Sequence, residues 1–398
     1  MGKGISKLYL NPLSENRPEG EIYNYMVKIQ TKSILEELKS YPLGLSPEEI
    51  KEKYNLNRVW KMSDNENIYG CAPTVKEAIQ QHLQTLHLYP DGNTSELVSR
   101  LANFYHLKEE QFIAGNGSDE IIRLLTRAYI NKGDEAIMAD ITFPRYETNV
   151  VIEGGTAVKV PLANGVHHLS AMLERITQRT KMIFICNPNN PTGTIVGKEE
   201  LNDFIENIPE HILIVLDEAY CEYVTSEQYL QSIPLLSSHT NLIALRTFSK
   251  IYGLAGLRVG YGMMHTDIVK ELQKVKEVFN VNQLAQAAAA QALEDQEFIT
   301  ECTEKNAAER IFFSAQLRKL ELEFFPSEAN FLYVYSKYSL SKELISKGFL
   351  IRPTKLSGYA DAFRITLGNR ADNEAFLQAL YQIVKDGRCE DGNIARES

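Results

Sequence analysis

Short apolar runs bounded by turn signals recur along the middle of this 398-residue chain. They fall at 111–114, 135–139, 156–160, 182–186, 212–216, 242–245 and 258–263. The runs are continuous rather than alternating, the pattern of strands covered on both faces of a mostly parallel sheet. Helical stretches lie between them, at 119–130, 170–178 and 198–207. That alternation of strand and helix predicts an α/β chain whose large domain has three layers, α/β/α. Further on, a run rich in Ala and Gln predicts a helix over 281–294, and a longer helical segment follows through 322. Strands near 330–335, 349–352 and 363–367, with helices near 340–347 and 372–385, predict a smaller α+β domain. Residues 1–34 are polar and broken by Asn-Pro, Arg-Pro and Glu-Gly, and read as an N-terminal extension. The expected division is therefore this extension, a segment 35–70 that joins the small domain, a large domain over 71–282, a small C-terminal domain over 283–386 and a flexible tail over 387–398.

Composition narrows the classes of function. The chain is 44% hydrophobic and 24% charged, ordinary for a soluble globular protein. Lys and Arg number 42 against 52 Asp and Glu, a formal net charge of −10, and no basic arm offsets it. That balance argues against a nucleic-acid partner. The apolar runs are too short to span a bilayer and no secretory signal is visible, so a cytoplasmic protein without a membrane partner is expected. Five widely spaced cysteines suit reduced thiols better than a disulfide framework or a zinc ribbon. His167 and His168, beside Asn164-Gly165, read as a polar turn, and no metal is expected.

Ligands of open α/β sheets gather at the carboxyl ends of the strands, and three segments follow expected strands directly. They are Asn187-Pro-Asn-Asn-Pro-Thr-Gly193, Asp217-Glu-Ala-Tyr220 and Thr247-Phe-Ser-Lys250, the last with Arg258 eight residues on. A lysine amine can form a Schiff base with an aldehyde cofactor while Thr247, Ser249 and Arg258 hold a phosphate. A fourth strand leads into Gly115-Asn-Gly-Ser-Asp-Glu120 and a helix start, whose free N–H groups suit an anion. Each segment also has a plainer reading: Asp217 as a helix cap, Tyr220 as a core aromatic, the Asn-Pro run as a tight turn, Lys250 as a solvated lysine. All four holding at once, in this order and at strand ends, is the weaker account, and the set reads as a site for pyridoxal phosphate. A nicotinamide cofactor fits worse, because no Gly-x-Gly-x-x-Gly follows a first strand. In pyridoxal chemistry Asp217 would keep the ring nitrogen protonated, and Tyr220 and Asn190 would hydrogen-bond the phenolic oxygen. Lys250 would hold the cofactor and later move the substrate's proton.

These segments resemble the fold-type I aminotransferases, and within them the histidinol-phosphate aminotransferase family. The likeness runs from about 38 to 385. It also takes in Lys61-Met-Ser-Asp-Asn-Glu-Asn-Ile-Tyr-Gly70, Tyr89-Pro-Asp-Gly92, Thr142-Phe-Pro-Arg-Tyr146, Asn280-Val-Asn282, Ala329-Asn-Phe331, Ile351-Arg352 and Arg364-Ile-Thr366. The resemblance implies that Phe143 stacks on the cofactor ring, and that backbone groups of Ser118 and Asp119 join Thr247, Ser249 and Arg258 around its phosphate. It implies that Tyr69 reaches the phosphate of the neighbouring subunit, making a homodimer with composite sites. Arg364 resembles the arginine that clamps a substrate carboxylate; in the histidinol-phosphate branch it and Arg352 serve the substrate phosphate, and Tyr41 lines the same pocket. Two departures stand out: Ile68 and Ile141 replace customary prolines beside Tyr69 and Phe143, which is expected to reshape the substrate side. The implied activity is transfer of an amine from L-histidinol phosphate to 2-oxoglutarate, in histidine biosynthesis. The alternatives are an aminotransferase for aromatic, phospho- or phosphono-amino acids, a phospho-amino-acid decarboxylase, or a cofactor-binding regulator without turnover.

Overall fold

The computed structural model describes residues 31–36, 38, 40 and 44–394, the last eight of these by backbone only. Every apolar run of the middle region is a strand, and together they form one seven-stranded sheet. Its order is Phe112–Gly115, Gly260–Met264, Leu242–Thr247, Leu213–Asp217, Thr180–Cys186, Glu135–Ala139 and Thr156–Val160. Five neighbours run parallel, whereas Gly260–Met264 is antiparallel to both strands beside it. The continuous apolar character follows from packing on both faces. Ile183, Ile185, Ile214, Leu216 and Ala244 pack in one core, and Met182, Phe184, Val215, Ile243 and Leu245 in another. The strand at one edge, Thr156–Val160, is the exception, with only Val160 buried, whereas Phe112–Gly115 at the other edge is buried throughout.

Several boundaries differ from the sequence reading, three of them for a visible reason. The strand expected from 258 starts at Gly260, because Arg258 holds a left-handed φ of 55° that strand geometry excludes. The helix expected over 170–178 is only Leu169–Leu173. Its continuation is drawn into a turn in which Thr177 Oγ1 and the Arg179 guanidinium both donate to the Glu135 carboxylate. The last helix, Arg370–Ile394, carries its backbone past 385, through the start of the stretch expected to be a flexible tail. Preformed turns propagate at little cost once a helix is nucleated.

A second, four-stranded antiparallel sheet has the order Arg352–Thr354, Asp361–Thr366, Phe331–Ser336 and Glu323–Phe324. Its core is separate and joins Phe313, Leu317, Leu332, Phe363 and Phe376. Trp60–Lys61 pairs in parallel with Phe349–Leu350, and Met62 O then accepts the Thr366 N–H at 2.8 Å. The chain after Met62 is thereby laid along the small sheet, at the mouth of the large one. Of the extension over 1–34, only 31–34 are described, entering a short 3-10 turn, Ser33–Glu36.

Candidate active site

Parallel strands that start together end together, so the residues after them share one edge of the sheet. A cavity of about 550 Å³ opens there. Ser118, Asp119, Phe143, Asn190, Asp217, Tyr220, Thr247, Ser249, Lys250, Arg258, Arg352 and Arg364 line it. So do four residues to which the sequence reading gave no role: Asp64, Asn65, Cys186 and Ala219. Tyr69 does not line it; the half-buried phenol lies 5.0 Å from Lys305 Nζ instead. Tyr41 lies outside the described residues. Neither Ile68 nor Ile141 lines the cavity: Ile68 is exposed, and the Ile141 carbonyl accepts from Asn189 Nδ2 at 3.1 Å.

One end of the cavity is an anion cup. Arg258 Nη1 donates to Ser249 Oγ at 3.2 Å, and the Ser249 N–H donates to Thr247 Oγ1 at 3.1 Å. The helix Ser118–Tyr129 starts beside them and contributes the partial positive charge of its first turn. Two glycines make this convergence possible. A Cβ on Gly117, whose φ is 78°, would lie 2.7 Å from Arg258 Nη2, and one on Gly260 would lie 2.5 Å from the Ser118 nitrogen. The Asp119 carboxylate is turned to Arg145, whose Nε donates to it at 3.0 Å, which leaves the cup itself cationic.

The opposite end is acidic and buried. Asp217 is buried at the end of its strand, and burial raises its carboxyl to about 6. Tyr146 Oη donates to Asp217 Oδ2 at 2.6 Å and the Ala219 N–H to Oδ1 at 3.2 Å, which limits that rise. In the sequence Tyr146 only closes the Thr142-Phe-Pro-Arg-Tyr146 segment, with no role assigned to it. It is stacked at 4.6 Å on Phe184, so its hydroxyl has a fixed aim. Beside them Cys186 lines the cavity with its thiol pushed upward by burial, a poor nucleophile. The polar turn expected beside His167 is present, but the histidine is not part of it. Asn164 and Gly165 do turn, but His167 is buried and lies with Nε2 3.1 Å from the Cys186 carbonyl, which needs a donor. Burial lowers its pKa to about 4, so it is neutral.

Lys250 lies between the two ends. Its Nζ donates to the Asp64 carbonyl at 3.0 Å and stands 5.6 Å from the centre of the Tyr220 ring. The side chain is partly open to the cavity, yet protein surrounds the amine. Burial, with the neighbouring Arg364 charge, lowers its pKa to about 7. Arg364 is itself buried, its Nη1 donating to Asn190 Oδ1 at 2.5 Å and its Nη2 to the Ser63 carbonyl. Arg352 Nη2 reaches Asp64 Oδ1 at 2.7 Å. Burial alone would raise the Asp64 carboxyl, but hydrogen bonds from Lys61 and Arg352 hold it below its usual value.

The site thus offers a poised amine, a buried carboxylate, an anion cup and two arginines toward a common space. Comparison with known proteins agrees with that chemistry. The family profile "Aminotransferase class I and II" matches residues 57–380. A histidinol-phosphate aminotransferase of Geobacillus sp. (strain WCH70) is 43% identical over 361 residues, 90% of this chain and 99% of the relative. That of Anoxybacillus flavithermus (strain DSM 21510 / WK1) is 42% identical over 363 residues, 90% of this chain and 98% of its own length. The crystal structure of histidinol-phosphate aminotransferase from Sinorhizobium meliloti in complex with pyridoxal 5′-phosphate matches with a TM-score of 0.83 at 27% identity. It covers 90% of this chain and 98% of that one. The architecture is that of fold-type I.

Proposed function

Because the chain belongs to the class I and II aminotransferase family, we propose that it transfers the amino group of L-histidinol phosphate to 2-oxoglutarate with pyridoxal 5′-phosphate as cofactor. The products are imidazole acetol phosphate and glutamate. The observation that carries this reading is the single cavity in which Lys250, Asp217, the anion cup and two arginines meet. The names of the relatives favour it over a decarboxylase, a different aminotransferase or a regulator without turnover.

The residues present fit the cofactor, since the bare backbone of Gly117 and Gly260 leaves a cradle that a Cβ would fill. When bound, pyridoxal phosphate supplies an aldehyde that exchanges amines and a ring that takes up electron density. The first-turn N–H groups of Ser118 and Asp119, with Thr247, Ser249 and Arg258, hold its phosphate. Asp217, steadied by Tyr146, would share a proton with the ring nitrogen. Phe143 would pack against the ring, and Tyr220 and Asn190 would donate to its phenolic oxygen. Asn190 is oriented for this, because its Oδ1 is already engaged by Arg364. The Lys250 amine would hold the cofactor at its aldehyde and would be the base that moves a proton at the substrate α-carbon. A pKa near 7 keeps much of that amine unprotonated at neutral pH. Arg352 and Arg364 would bind the charged end of the substrate.

On this reading the cofactor-binding domain is 71–282, and 283–386 with 35–70 carries the substrate arginines. The protein is a cytoplasmic homodimer of histidine biosynthesis, with Tyr69 completing its partner's cup. The exposed apolar residues Leu86, Leu88, Tyr89 and Val278 support an interface, with Tyr89 stacked on Phe279 at 4.7 Å. One half-reaction tests the activity: cofactor-loaded protein is mixed with L-histidinol phosphate, without an acceptor. The visible band should fade as pyridoxamine 5′-phosphate appears, faster than with phenylalanine. An unchanged spectrum in loaded protein rejects this substrate.

A further inference from the structure

Asn65 is the most heavily wired residue at the cavity that the mechanism does not use. It is buried, with a left-handed φ of 58° that Asn adopts more readily than most residues. Its backbone N–H donates to Thr366 Oγ1 at 2.9 Å, and its backbone carbonyl accepts from Asn330 Nδ2 at 3.1 Å. Its side chain spans two hydroxyls: Oδ1 lies 3.1 Å from Thr366 Oγ1 and Nδ2 lies 2.9 Å from Tyr220 Oη. Thr366 Oγ1 already receives the backbone N–H, so its own hydrogen is directed to Oδ1. The amide face toward Tyr220 is then the NH₂, which can only donate.

We propose that Asn65 is a positioning residue that fixes the direction of the Tyr220 hydroxyl, filling its oxygen with a donor so that its hydrogen points into the cavity. This rests on the reading of the cavity as a pyridoxal phosphate site, in which Tyr220 donates to the phenolic oxygen. A hydrogen bond donated to that oxygen weakens its hold on the neighbouring proton, so the Lys250 nitrogen loses its proton at lower pH. Reversing the bond from Asn65 draws the Tyr220 hydrogen out of the cavity and removes this effect.

Asn65→Asp reverses it with the least disturbance, because Asp also tolerates the left-handed backbone and its carboxylate accepts from Tyr220. The readout is the pH midpoint of the visible band of protein loaded with pyridoxal phosphate, with melting temperature measured alongside. In Asn65→Asp the midpoint should rise by about one pH unit, the scale on which one hydrogen bond shifts a titration. Tyr220→Phe should raise it similarly, and adding Asn65→Asp to Tyr220→Phe should move it little further. An unmoved midpoint in Asn65→Asp overturns the proposal. An equal rise in the Tyr220→Phe background also overturns it, because the carboxylate would then act by its charge alone. Should Asn65→Asp fail to fold, Asn65→Gly keeps the backbone angle and removes the donor, and there an unmoved midpoint is equally fatal. Failure of the wild type to form a visible band would strike the cofactor reading instead.

Discussion

Lys250 is held where an ammonium is costly: buried, with the Arg364 guanidinium as a cationic neighbour, its pKa falls to about 7. The free amine is the reactive form, so uptake of pyridoxal phosphate by cofactor-free protein should accelerate about tenfold per pH unit below 7 and level off above it. Stopped-flow absorbance measures this, and in Lys250→Ala the visible band should be missing at every pH. A pH-independent rate would place the amine outside the reaction. Tyr146→Phe deletes the hydroxyl donated to Asp217 at 2.6 Å. A hydrogen bond to a charged group contributes about 1.5–3 kcal/mol, so the cofactor Kd should rise roughly tenfold to a hundredfold by equilibrium dialysis. The sequence exposed Lys250 and Asp217 because a reactive side chain directly after an apolar run announces itself. Tyr146 and Asn65 act through partners 71 and 155 positions away, and nothing in the local pattern connects them.

At the scale of elements, the central strands were legible because both of their faces are buried and the runs are unbroken. Helices with mixed faces were less so: Pro73–His82 buries only Val75, and Thr266–Val275 only Ile268, Val269 and Leu272. The pairing of Trp60–Lys61 with Phe349–Leu350 left no periodic signal, because two residues are too few to show one. The anion cup is a junction of elements as well. Gly260 opens its strand where the Ser118 helix begins, and Gly260→Ala would set a methyl 2.5 Å from the Ser118 nitrogen and 2.9 Å from the Gly117 carbonyl carbon. Backbone must shift to relieve that contact, which pulls the helix start from Arg258. The expected result is at least about a tenfold weaker grip on pyridoxal phosphate, on the view that oriented N–H groups supply much of the anion affinity. Unchanged affinity by fluorescence titration would remove the helix start from the cup.

Across the whole molecule, the small sheet contributes Arg352 and Arg364 while the large sheet supplies Asp217 and Lys250, so ties between the two cores set the cavity. Arg310, in helix Gln296–Lys319, is one such tie: its Nη2 donates to Thr225 Oγ1 at 2.8 Å and to Glu328 Oε2 at 2.9 Å. Arg310 is buried and Glu328 partly so, and removing one partner of such a pair costs up to about 3–5 kcal/mol. Arg310→Met should therefore lower the melting temperature by about 5 °C or more, and calorimetry checks it. The largest scale concerns Tyr69, which stands outside the cavity of its own chain. If sites are shared between two copies, Lys250→Ala and Tyr69→Ala are each defective alone, but a mixed dimer holds one site with both residues intact. Random pairing in a symmetric dimer makes half the dimers mixed, with one good site in each. Co-expression should then restore about a quarter of wild-type activity, counted per site. Sites contained within single chains would give no more than the average of the two variants, and that result would return Tyr69 to a packing role.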